Sequence, residues 1–187
     1  MSILTEALPD YIVVRGEKCP IKSDFRVWLE FSEIISKNIS ETEKLFKMLK
    51  LIFDKLPQNL YDGISAIMNF YSYTPVKSEN KDKAVNKNYF DFDYDANLIY
   101  SAFLQQYKID LCQTNMHWWT FKALLGGLSD DTHFIKVVQY RSMDLSKIKD
   151  KEQRHHYQKM KTLYKLPDNR SKEQKEQHLN DVMEIMF

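Results

Sequence analysis

Apolar residues recur at helical spacing along most of this chain, and this periodicity constrains the fold more than any other feature. The clearest stripe runs through residues 96–107, where Ile99, Phe103 and Tyr107 share one helical face. Only four glycines and five prolines interrupt the 187 residues, and few turn residues mean few breaks between helices. The pattern therefore predicts a mainly α fold, a multi-helix bundle of about seven or eight helices.

Capping residues mark several of the helix starts. Ser40 and Glu43 have the spacing of a capping box, Asp24 stands before the stripe that begins at Phe25, and Asp150 precedes another. Pro57 suits an early position of a third helix. Gly126-Gly127 is a typical C-terminal stop of a later helix, and Ser129 can cap the short helix that follows these glycines. The apolar spacing places further side chains on core-facing stripes, among them Ile35, Leu45, Leu56, Leu60 and Leu104.

The segment from Tyr11 to Ile21 differs, because two short β-prone runs flank Gly16. A glycine with positive φ permits a tight turn, so this segment predicts a small N-terminal β-hairpin. Pro20 has no amide hydrogen to donate and indicates an edge strand.

A charged, polar stretch divides the sequence near its middle. Residues 76–88, VKSENKDKAVNKN, have almost no core-forming side chains. We therefore expect a hairpin and helical lobe over residues 1–75, a charged linker or loop over 76–90, and a second helical lobe over 91–187. One continuous domain is the alternative.

Composition narrows the setting of the protein. The net charge of +1 gives no overall attraction to nucleic acid or to an anionic membrane. Cys19 and Cys112 form no CxxC pair, and no run approaches the roughly 18 apolar residues of a membrane span. These features favour a soluble, cytosolic protein without a disulfide framework.

The stretch NMHWWTFKALLGG, residues 115–127, is the most prominent candidate site, because His117 stands beside two tryptophans. On a helix, His117 would have no carboxylate three or four residues away, so a packed helix is the better interpretation. Asp91, Asp93 and Asp95 alternate, but the glycine and distal glutamate of a calcium loop are missing. The five histidines include no HExxH pattern, and phosphate-binding and nucleophile-elbow motifs are absent from the sequence. We predict no catalytic residue, no metal and no cofactor.

Two stretches near the C-terminus could contact partners. We expect a basic helix over residues 147–165 that could meet phosphates, although Asp150 and Glu152 interrupt it and a solvated face is the simpler interpretation. The predicted terminal helix after Ser171 is amphipathic and could pack against its own chain or dock on a partner.

Three ordered blocks of the sequence resemble one family. They are DFRVWLEF at 24–31, FDYDANLIYSAFLQQYKIDL at 92–111 with HWWTFKALLGGL at 117–128, and YRSMDLSKIKDKEQRHHYQKMKTLYKLPD at 140–168. Together they resemble the "gene product fifteen" family of long-tailed bacteriophages and prophages of Gram-positive bacteria. The likeness extends over nearly the whole chain.

The resemblance implies a role in tail morphogenesis, because members are encoded in the tail module just before the tape measure gene. It implies a non-enzymatic tail assembly chaperone in the host bacterial cytoplasm, with the tape measure protein and other tail assembly proteins as partners and with possible self-association. A structural component retained in the virion, or a nucleic-acid-associated protein using the basic helix 147–165, is the alternative. Six apolar residues are candidates for partner binding: Trp118, Trp119, Phe121, Val182, Met183 and Met186.

Overall fold

A computed structural model describes residues 5–73 and 89–167 of the chain. The expected linker before residue 89, and the expected terminal helix with Val182, Met183 and Met186, lie outside these residues. The described residues form two β-strands, seven α-helices and a short 3-10 helix, which confirms the mainly α fold with an N-terminal hairpin.

Strands β1 (Tyr11–Val14) and β2 (Glu17–Pro20) pair antiparallel, with Tyr11 opposite Pro20 and Val14 opposite Glu17. Arg15 and Gly16 connect them with φ angles of 51° and 85°, the positive values that a two-residue type I′ turn requires. Ile12 and Val14 are buried. The hairpin therefore contributes one apolar face to the core, as a lone two-stranded sheet must.

The seven helices follow in chain order with short connections where the chain is described. They are α1 (Phe25–Ser36), α2 (Glu41–Ile52), α3 (Leu60–Ser72), α4 (Ala96–Tyr107), α5 (Trp118–Gly126), α6 (His133–Ser142) and α7 (Lys151–Leu163). A 3-10 helix, Leu145–Lys147, precedes α7.

Most of the expected helix starts are confirmed. The side chains of Asp24, Ser40 and Asp150 accept backbone N–H groups in the first turns of α1, α2 and α7. Two starts differ from the sequence expectation. Asn59 caps α3, two residues after Pro57, and the hydroxyl of Thr132 accepts the Ile135 N–H at the start of α6.

The buried arc of each helix is narrower than its apolar stripe. Trp28, Phe31 and Ile34 are buried along α1, and Ile52 and Ile67 are buried on α2 and α3. The stripe assignment was wrong for several flanking residues, because a helix packed on one side buries only its central positions. The exposed ones on helices are Ile35, Leu45, Leu60 and Leu104. Leu56 was also expected on a helical stripe, but α2 ends at Ile52 and Leu56 is exposed in the loop that follows.

The contacts between Cα atoms divide the chain into two units, residues 1–142 and 143–187. In the first unit, Phe25 of α1 stacks on Phe121 of α5 at 4.8 Å between ring centroids, and Phe121 stacks on Phe103 of α4 at 5.2 Å. Side chains from before residue 75 and from after residue 91 thus share the core of the first unit. The described part of the second unit contains the 3-10 helix and α7, and α7 has no buried residue.

None of the helices described in residues 5–73 and 89–167 is long and apolar enough to cross a membrane.

Candidate functional site

The sequence suggested that His117 lies on a helical face. In the structure it is instead the N-cap of α5. Its Nδ1 accepts the backbone N–H of Trp119 at 3.0 Å, and its Nε2 lies 3.0 Å from the carbonyl oxygen of Pro9. Because Nδ1 is the acceptor, the ring proton is on Nε2 and is donated to Pro9. Burial lowers the pKa of His117 below its ordinary value of 6.5, against the opposing effects of the Pro9 carbonyl and Asp10. The ring is thus a neutral structural link.

The N-termini of α1 and α5 are paired by an antiparallel β-bridge between Asp24 and His117. The N–H of Phe25 donates to Met116 O at 2.9 Å, and the N–H of Trp118 donates to Ser23 O at 2.8 Å. Each bond satisfies an amide that a helix start would otherwise leave without a partner. Two helices far apart in sequence therefore begin from one shared bridge.

Arg26 holds the loop that leads into this bridge. Its guanidinium donates to the carbonyl oxygens of Leu111 at 2.7 Å and Thr114 at 2.9 Å, and to the carboxylate of Asp24 at 3.2 Å. An open hollow beside it is lined by Ser23, Asp24, Arg26, Asn115, Met116 and His117. The charged groups of the hollow are thus already engaged with the chain itself.

The two adjacent tryptophans of α5 cap the C-terminal end of α3. Trp118 Nε1 donates to Tyr71 O at 3.1 Å, and Trp119 Nε1 donates to Phe70 O at 2.9 Å. The last carbonyls of a helix have no partner within the helix, so the indole groups satisfy acceptors that would otherwise be buried without one. The tryptophan pair therefore joins α5 to α3.

Ring stacking strengthens the same junction. Trp118 stacks on Tyr71 at 5.5 Å between ring centroids, and Trp119 stacks on Tyr73 at 3.8 Å. Trp28 of α1 lies against Phe70 at 4.7 Å. Three helices thus meet through aromatic rings, and each close pair adds about 0.5–1.5 kcal/mol beyond its buried area.

Lys122, one turn further along α5, completes this cap. Its Nζ donates to the carbonyl oxygens of Tyr71 and Tyr73 and lies 5.2 Å from the centre of the Trp118 ring. An ammonium group at a helix C-terminus is favoured by the helix dipole. Burial nevertheless lowers the pKa of Lys122 to about 8, because the half-buried amine has lost part of its hydration.

The sequence-predicted binding residues fall into two sets. Trp118 is 1% exposed, and Trp119 and Phe121 are also buried in the core of the first unit. The packed helix that the sequence indicated for this stretch is thus observed. Val182, Met183 and Met186 lie outside the described residues, and a partner-binding role for all six residues stays a prediction.

A buried ion pair was missed by the sequence reasoning. The carboxylate of Asp95 receives two hydrogen bonds from the Arg141 guanidinium, at 2.6 and 2.9 Å, and both side chains are almost fully buried. Asp95 Oδ2 also accepts the N–H of Asp91. The alternating aspartates therefore serve local structure, with Asp91 accepting the N–H groups of Asp93 and Tyr94. Among the described residues, no group of three or more His, Cys, Asp or Glu side chains could hold a metal ion.

The basic stretch 147–165 includes the end of the 3-10 helix and all of α7, and several of its cationic side chains bond to groups within their own unit. Arg154 donates to Ile148 O, Lys161 donates to Met143 O at 2.7 Å, and Lys147 lies 3.7 Å from the carboxylate of Asp144. Two cations of α7 and one cation of the preceding 3-10 helix thus already have partners. This arrangement agrees better with a solvated helix face than with a continuous phosphate-binding row.

Comparison with known proteins gives one family. A family model described as "Bacteriophage Gp15 protein" matches residues 4–166, a range that includes the tryptophan junction, the Asp95–Arg141 pair and α7. No curated protein and no solved structure matches the chain. The match confirms the resemblance drawn from the three sequence blocks. The chain is a member of the bacteriophage Gp15 protein family.

Proposed function

We propose that this phage protein is a tail assembly chaperone that binds the tape measure protein before the tail tube polymerises around it. The observation that carries the proposal is family membership over residues 4–166, since the resemblance implies a place in the tail module. The action is binding and release, without catalysis.

The chemistry of the candidate site supports a binding protein rather than an enzyme. His117 caps a helix, Lys122 holds helix carbonyls, and Asp95 is paired with Arg141. Each of these titratable groups is thus engaged in holding helices together. Such a scaffold keeps its surface rigid, and a rigid surface loses little conformational entropy when it binds a partner.

A tape measure protein needs this kind of partner because it is long, helical and apolar along its stripes. Small helical proteins cover such stripes by packing side chain against side chain. Weak contacts repeated along a long chain give high occupancy and remain displaceable, because neighbouring sites raise the effective concentration. Release then needs no chemical step.

Co-expression tests the proposal directly. The tape measure protein should move from the insoluble to the soluble fraction when this protein is produced with it, and the two should co-purify. An unrelated soluble protein of similar size, produced at the same level, is the control and should have no effect. Equal solubility in both cases, without co-purification, would overturn the proposal.

The two alternatives have different signatures. A structural tail component should be detected by mass spectrometry of purified virions, whereas a chaperone should be absent from them. A nucleic-acid-binding protein should bind a short duplex with an affinity that falls steeply between 50 and about 200 mM salt. We expect no salt-dependent binding.

A further inference from the structure

Helix α3 presents a broad exposed face that contains no charged residue. We call this the α3 face and define it by Leu60, Tyr61, Ser65, Met68 and Asn69, all of them exposed. Tyr61 is 79% exposed, Leu60 46% and Met68 39%. At 100° per residue these positions cover roughly half of the helix circumference. The face is therefore a coherent surface rather than scattered residues.

Charged residues are absent from the α3 face although 28% of the residues in the chain are charged. The one charged residue of α3 is Asp62, and its carboxylate is paired with Arg15 of the hairpin turn. The exposed residues of α2, by contrast, include Glu41, Glu43 and Lys47. An exposed helix normally keeps such charges for solubility, so an uncharged face indicates a surface that becomes covered.

The α3 face is held rigidly at both ends. Asn59 accepts the Asp62 N–H at 2.9 Å, and Pro57 packs so closely that a Cβ on Gly63 would lie 2.7 Å from its Cγ. The other end is fixed by the indole groups of Trp118 and Trp119. A partner would thus meet a preformed surface and would not have to order the helix.

The lack of charge restricts what can cover the face. A charged side chain buried against Tyr61 and Met68 would lose its water without gaining a counter-charge. Phosphate groups would find no cation on the helix. Tyrosine and methionine adapt well to aliphatic side chains, and their spacing of seven residues, about 10 Å along the helix, fits apolar residues at positions i, i+3 or i+4, and i+7 of a partner helix.

The size of the face argues against a lone second copy as the occupant. A helix of 13 residues is about 20 Å long, so a contact roughly 10 Å wide buries on the order of 400 Å² in total. Stable interfaces bury about 1,200 Å² or more. One α3 face is thus too small for a stable dimer, but it suits many copies bound side by side along one long partner.

We propose that the α3 face docks an uncharged apolar stripe on a long helical partner, with one copy of the protein on each short stretch. The inference rests on the proposed function and names the surface that performs it. The buried tryptophans act indirectly, by fixing the end of α3.

Charge placed on the α3 face tests this inference. Tyr61→Lys and Met68→Lys each put an ammonium group into the proposed contact and should weaken co-purification with the tape measure protein about tenfold or more. Phe46→Lys is the matched control, because Phe46 is 67% exposed on α2 and should bind as the wild type does. Thermal unfolding should be unchanged in all three variants, since each side chain lies at the surface.

The outcomes separate the surface from the function. If the wild type and both α3 variants bind equally, the α3 face is overturned while the chaperone function stands. If the wild type itself fails to bind, the proposed function falls and its docking surface with it. If sedimentation shows a dimer that Tyr61→Lys dissociates, with partner binding unchanged, the occupant is a second copy and the inference is overturned.

Discussion

Helices α5 and α7 use similar residues in opposite ways. Each helix, together with its N-cap residue, contains histidine, lysine and large apolar side chains. Trp118, Trp119 and Phe121 are nevertheless buried in the first turn of α5, whereas α7 has no buried residue. The difference lies in what surrounds each helix. In the first unit, α3 supplies carbonyl groups at the positions where α5 presents donors, and both α1 and α3 supply rings that pack against α5. A residue type thus acquires its role from its neighbours in space.

This comparison explains why the histidine beside two tryptophans acts as a helix cap. His117 has a donor on one side and an acceptor on the other, whereas His155 and His156 of α7 are exposed. Pairs of equivalent substitutions, one in each unit, therefore test the comparison.

The largest difference should come from the aromatic residues. Trp118→Ala removes a buried indole together with its ring-stacking contacts and its hydrogen bond to Tyr71 O. We therefore expect the free energy of unfolding to fall by about 3–5 kcal/mol. Tyr157→Ala in α7 removes a half-buried ring and should cost clearly less. Chemical denaturation followed by circular dichroism measures both, and equal losses would break the comparison.

The ion pairs should differ nearly as much. Asp95→Asn removes the carboxylate charge that the buried Arg141 guanidinium contacts, and we expect a loss of about 3 kcal/mol in the free energy of unfolding. Asp144→Asn disturbs an exposed contact with Lys147, where solvent screens the interaction, and should leave the denaturation midpoint unchanged. A small effect at Asp95 would show that water reaches this pair.

The histidines should differ in pH dependence as well as in stability. His117→Ala removes an N-cap and should cost about 1 kcal/mol, whereas His117→Asn keeps a capping oxygen and should cost little. Because the pKa of His117 is lowered by folding, the unfolded chain takes up the proton first, and stability falls as the pH drops below 6.5.

His117→Asn should therefore flatten the dependence of the unfolding midpoint on pH below 6.5, because Asn does not titrate. His156→Asn, on the exposed surface of α7, should leave that dependence as it is in the wild type. Thermal melts over a series of pH values measure both variants. An unaltered slope in His117→Asn would contradict a buried, neutral imidazole.

The last prediction concerns Lys122 and the pH dependence of stability above neutrality. Since folding lowers its pKa to about 8, the unfolded chain binds this proton more tightly, and stability should rise as the pH increases from about 8 toward 10.5. Lys122→Met should remove that rise while still filling the space beside Trp118. Denaturation midpoints of the two proteins between these pH values provide the test.

Local features of the fold were predictable from the sequence, and distant ones were not. Asp24, Ser40 and Asp150 identify helix starts because a cap acts within three residues of itself. The Asp95–Arg141 pair connects side chains 46 residues apart, and no local spacing indicates it. Leu60 and Leu104 were misplaced because an apolar stripe shows which side of a helix is buried but not how wide the buried arc is.

The role of the tryptophan pair shows the same limit. Its aromatic content predicted burial, but the hydrogen bonds of the indole groups to Phe70 and Tyr71 depend on how α3 crosses α5. His117 as an N-cap could have been suspected from its position directly before Trp118 and after the loop that Arg26 holds. Histidine is an uncommon cap, however, and the usual capping residues gave no signal there.

The central claim is that a buried aromatic junction supports a separate binding face. Its most direct test is to measure hydrogen exchange of the protein alone and in complex with the tape measure protein. We predict that amides of α3 between Tyr61 and Ser72 become more protected in the complex, while amides of α5 are already protected and do not change. New protection confined to α5 or α7, with α3 unaffected, would contradict this account.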